Sequence, residues 1–90
     1  MAKFKKDPNS TVDYTFDWTA YLTPINDVIS TVTWVLGTGL TKVSQSNTTM
    51  TATAFISGGT VGDTLTITCR ITTAGGRVDD RSATLTIVER

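Results

Sequence analysis

Ninety residues with eight basic and eight acidic side chains, no histidine and one cysteine leave room for one domain around one thin core. Zero net charge speaks against a non-specific nucleic-acid binder, which needs clustered positive charge to displace counterions from phosphates. The lone Cys69 excludes an intrachain disulfide, and the missing histidine removes the commonest general base, the commonest metal ligand and any Ser-His or Cys-His nucleophile pair.

Residues 1–11 are polar and basic and end in Asp7-Pro8-Asn9-Ser10, so they read as an extended arm outside the core. Lys3, Lys5 and Lys6 begin like a signal peptide, but Asp7-Pro8-Asn9 follows where an apolar core would be needed. No apolar stretch approaches the roughly 20 residues that span a bilayer. The reading is therefore a chain cytosolic at synthesis, with no membrane partner and no nucleic-acid partner.

From Val12 onward a two-residue rhythm takes over. Val12, Tyr14, Phe16 and Trp18 alternate with Asp13, Thr15 and Asp17, which predicts a strand over 12–18 with one buried and one wet face. Thr19 to Leu22 makes at most one helical turn, and Thr23-Pro24 with Asn26-Asp27 marks a turn. A second strand is predicted over 28–36, with Val28, Val32, Trp34 and Leu36 sharing a face. Leu40 and Val43 are oddly spaced in the weaker segment 40–46, which predicts a bulge or an edge strand. The next strand, 50–57, aligns Ala52, Ala54 and Ile56. A long one over 64–73 aligns Leu65, Ile67, Cys69 and Ile71. The Ala74-Gly75-Gly76 turn makes that strand a hairpin with a last strand over 82–88.

Short strands with turn signals every eight to twelve residues are the pattern of an all-β, immunoglobulin-like β-sandwich. The prediction is six to seven short antiparallel strands over 12–90, preceded by the 1–11 arm, with Trp34 as the central large core residue.

Chemistry-bearing groups are few. Asp13 and Asp17 stand about 13 Å apart along one strand, too far to share a proton or one metal ion directly. Arg77, Asp79, Asp80 and Arg81 form the densest charge cluster. They read as an ion-pair network, within the chain or across an interface, rather than half of a cation site, because flanking arginines repel a cation. Ser57-Gly58-Gly59-Thr60 leads into a strand instead of a helix, so it is a turn and no phosphate cradle. No catalytic residue, metal ligand or cofactor is expected. The partner-binding candidates are Lys3, Phe4, Lys5 and Lys6 on the arm, Trp18 and Tyr21 as aromatic anchors, Arg77, Asp79, Asp80 and Arg81, and Arg90 at the end. Trp18 reads equally well as a core residue.

The order Lys6-Asp7-Pro8, Asp13-Tyr14, Asp17-Trp18, Leu22, Trp34, Gly58-Gly59-Thr60, Gly62, Gly76-Arg77, Asp79-Asp80-Arg81-Ser82 and Val88-Glu89-Arg90 resembles a family of small virion proteins of tailed bacteriophages, described as tail-fibre adaptors or head–tail structural proteins. The resemblance implies an immunoglobulin-like fold, no enzymatic activity and no small-molecule substrate. It also implies a place in the tail or neck of the virion, reached by assembly in the host cytoplasm. The implied partners are other virion proteins (tail, neck or fibre subunits), met in several symmetry-related copies. Two other readings stay open: a capsid decoration protein, and a saccharide-binding adhesin using exposed Tyr14, Tyr21 or Trp18.

Overall fold

A strand that buries alternate side chains needs a second apolar surface, and here two sheets supply it for each other. The computed structural model describes residues 2–89. In chain order its elements are β1 (Ala2–Lys6), β2 (Val12–Asp17), α1 (Thr19–Leu22), β3 (Ile29–Leu36), β4 (Leu40–Asn47), β5 (Thr51–Gly58), β6 (Thr64–Thr73) and β7 (Val78–Ile87). One sheet has the order β1-β7-β6-β3 and the other β2-β5-β4. The protein is an all-β, immunoglobulin-like sandwich, and the single helical turn α1 falls where the sequence places it.

Three details differ from expectation. Residues 2–6 are no free arm: they form β1, which pairs with β7 in parallel, setting Phe4 beside Leu85 and Lys6 beside Ile87. The lysines hide a period of two. Lys3 and Lys5 are exposed, while Lys6 is buried, its stem in the core and its Nζ donating to the carbonyls of Asp7 (2.9 Å) and Gly58 (2.8 Å). Desolvation pushes the Lys6 amine below its ordinary pKa.

Second, a register shift between Ile29 and Thr31 reverses which face the start of β3 presents, so Ile29 is buried and Val28 is exposed. Third, β7 begins at Val78, because 78–81 continue the ladder against 69–72 of β6. The irregularity expected around Val43 is present as a shift between Lys42 and Ser44, on a strand at the edge of its sheet.

Ala52, Ala54 and Ile56 of β5 and Ile67, Cys69 and Ile71 of β6 are fully buried, as their alternation requires. The core has two parts. One gathers Tyr14, Ala54, Ile56, Ile67, Ala83, Leu85 and Ile87; the other gathers Trp18, Leu22, Ile29, Ala52, Cys69 and Ile71. Phe16 and Trp34 pack against both, with ring centroids 5.7 Å apart. Trp34 is thus a partly buried bridge, and Trp18 is the tryptophan with no exposed surface. Cys69 lies opposite Trp34 in the β3–β6 ladder, and burial raises its thiol pKa to about 11, leaving an inert hydrophobe.

Candidate functional site

The charged segment 77–81 does not stay together, because alternation along β7 sends neighbouring residues to opposite faces. Asp80 pairs across the hairpin with Arg70, its register partner. The guanidinium grips both carboxylate oxygens, with Nε to Oδ1 at 2.8 Å and Nη2 to Oδ2 at 3.0 Å. This fork holds Asp80 below and Arg70 above their ordinary pKa values. Both side chains remain nearly half exposed, so the pair adds little to stability; Asp80→Ala is expected to leave the melting temperature almost unchanged in a thermal scan.

Arg81 points the other way. Its guanidinium lies 4.5 Å from the centre of the Trp18 ring and donates to the Asp17 carbonyl at 2.8 Å. Tyr21 meets the same indole edge-on, with centroids 5.8 Å apart. α1 positions both aromatics: the Asp17 carboxylate accepts from the Thr19 N–H at 2.9 Å, and hydrogen bonds to Thr19 hold that carboxyl below its usual pKa. Arg81, Trp18 and Tyr21 therefore form one cluster, with Trp18 buried beneath a partly buried Tyr21 and an exposed Arg81. Trp18 is a fully buried core residue beneath this surface. Lys6 is likewise buried, 1% exposed in the single chain.

Arg77 reaches Asp27 at 3.0 Å. Asp27 is buried and closes the β6–β7 turn onto the start of β3. Oδ1 accepts from the N–H groups of Val28 (2.9 Å) and Gly75 (3.1 Å), and Oδ2 from Arg77 Nη1. Gly75 has to be small here, because an added Cβ would come within 2.8 Å of Asp27 Oδ2. The Thr73 hydroxyl first, then the backbone N–H groups and Arg77, hold the Asp27 carboxyl at a pKa of about 2. A pKa depressed in the folded state contributes stability in full above the ordinary value of 3.8 and loses it as pH falls through about 2. Urea titrations from pH 5 to pH 2 are expected to show falling stability, and Asp27→Asn is expected to flatten that slope.

Asp79 is exposed beside Asp80, and exposed Lys3, Phe4 and Lys5 stand on β1 at the far end of β7; Arg90 lies outside the described residues. Sequence reading missed Asp27 and Arg70 as charge partners. Arg70 was within reach, since counting back from the 74–76 turn sets it opposite Asp80. Asp27 had no local signal, because its partners Gly75 and Arg77 lie 48 and 50 residues away. Among the described residues, no group of acids or cysteine could hold a metal ion, and no helix is long and apolar enough to cross a membrane.

No curated protein matches the chain. A family model described as "Podophage GP4 fiber-tail adaptor protein gp77" matches residues 6–86. That span runs from the last residue of β1 to one residue short of the end of β7, and includes the Trp18, Asp27 and Arg70–Asp80 assemblies. The chain belongs to the family of podophage fibre–tail adaptor proteins.

Proposed function

We propose that this chain is a non-enzymatic adaptor that joins tail or neck machinery to the tail fibres of a podophage virion. It would meet other virion proteins in several symmetry-related copies after assembly in the host cytoplasm. The family match over residues 6–86 carries this reading, and the surface suits it. Exposed Arg81 and partly buried Tyr21 both pack on the Trp18 indole, an arginine–aromatic combination that protein interfaces favour. Lys3, Phe4 and Lys5 offer a second patch on β1. The adhesin reading loses two of its three aromatic carriers, since Tyr14 and Trp18 are buried.

A cryo-EM map of the intact particle tests the proposal. The expected result is density for this sandwich in the neck or tail, touching the fibre bases. Density distributed over the capsid lattice would make the chain a cement protein and overturn the adaptor reading.

A further inference from the structure

Two of the four sheet edges lie side by side on one flank of the sandwich, and they carry opposite charge. β1 is the outer strand beyond β7, and β2 is the outer strand beyond β5. The chain reverses between them through residues 7–11, and the Phe4 and Tyr14 rings meet across the gap with centroids 5.2 Å apart. We take that contact as the height reference for the two opposed strands, which puts Lys5 opposite Asp13 and Lys3 opposite Thr15. On β1, Lys3 and Lys5 lie opposite Thr84 and Thr86, on the face away from buried Leu85 and Ile87. On β2, Asp13 and Asp17 lie opposite Phe55 and Thr51, away from buried Ala52, Ala54 and Ile56.

These charges discriminate between ways of adding a strand. Pairing β1 with β1 of a second copy would set lysines against lysines, and pairing β2 with β2 would set aspartates against aspartates, both destabilising. A two-fold axis parallel to the strands avoids both. It lays β1 of each copy antiparallel to β2 of the other, so that the four-stranded sheet of one copy continues into the three-stranded sheet of its partner. At the heights given by Phe4 and Tyr14, Lys5 faces Asp13 of the second copy. Lys3 faces Thr15 and has Asp13 and Asp17 as diagonal neighbours, within reach of a long side chain. Phe4, 43% exposed in the single chain, is covered by β2 of the second copy. The opposite flank is built differently: Lys42 and the bulge at Val43 interrupt β4, and both devices block continued pairing.

We propose that the β1/β2 flank is a self-complementary interface between two copies of this chain, formed by antiparallel addition of β1 to β2 across a two-fold axis and selected by Lys3 and Lys5 against Asp13 and Asp17. Such an interface is closed, with the same surface on both sides, and its exposed ion pairs are weakened by salt.

Sedimentation equilibrium of the full chain at low and high salt, with two double variants, is the test. Lys3→Asp/Lys5→Asp and Asp13→Lys/Asp17→Lys are each expected to weaken self-association at least about tenfold. An equimolar mixture of the two is expected to associate again, because each β1 then meets an oppositely charged β2. All these side chains are exposed, and circular dichroism checks that both variants are folded, with Asp13→Lys alone as a further variant because Asp17 also accepts from the Thr19 N–H. Lys3→Cys/Thr15→Cys gives an independent readout: within one chain the two cysteines lie on opposite outer faces and cannot be bridged, so oxidation should yield a covalent dimer. A chain monomeric at all concentrations, a dimer unaffected by charge reversal (as pairing through the uncharged β3 edge would give), or no cross-linked dimer would overturn the proposal.

Discussion

Trp18→Ala is expected to cost about 3–5 kcal/mol, much of what a domain of this length possesses at roughly 0.05–0.15 kcal/mol per residue. Urea unfolding followed by circular dichroism would show a midpoint shifted far toward zero denaturant. The size of the effect follows from position. Trp18 stands at the junction of β2 and α1, where its N–H donates to the Met50 carbonyl at 2.8 Å and its carbonyl accepts from Tyr21 (3.0 Å) and Leu22 (2.9 Å). Its side chain is fully buried with Leu22, Ile29, Ala52, Cys69 and Ile71. The buried indole N–H has no hydrogen-bond partner. Truncation would leave a cavity in a thin core and remove the ring beneath Arg81 and Tyr21. Tyr21→Ala, on a partly buried residue, should cost much less. A loss below about 1 kcal/mol for Trp18→Ala would show that the second core cluster does not depend on this indole.

Gly58→Ala is the second large effect, and it arises in the backbone. Gly58 has φ +94°, and an added Cβ would stand 2.5 Å from the Gly39 carbonyl oxygen. Neither side can retreat, because Gly39 O also accepts from the Gly59 N–H at 3.0 Å and Gly58 O accepts from the buried Lys6 amine at 2.8 Å. The left-handed conformation alone costs a non-glycine residue about 1–2 kcal/mol. With the clash added, the expected loss is about 3 kcal/mol or more. Gly39→Ala is the matched control: Gly39 has φ +98° with nothing within 4 Å of an added Cβ, so it should lose only the conformational part. The difference between the two urea midpoints isolates the β4–β5 close approach. Equal losses would show that the backbone yields there.

The alternation of threonine with apolar residues determined the fold class by itself. A strand has period two whatever its partners, so Ala52-Ala54-Ile56 and Ile67-Cys69-Ile71 could be assigned to the core without knowing what they would face. The odd spacing of Leu40 and Val43 likewise announced an interrupted edge strand, since a break in period is local information. The tertiary structure decided whatever depended on register between distant segments. Nothing local says that Lys6 is buried, because its burial requires β7 on one side and the Gly58 carbonyl on the other. Trp18 and Trp34 look alike in sequence, and only the closure of α1 over the β7 end of the sandwich buries the first completely and leaves the second as a bridge. The run Arg77 to Arg81 looked like one cluster because it is contiguous. Folded, its members reach Asp27, Arg70 and Trp18 in separate directions, since a strand turns every second side chain to the opposite face.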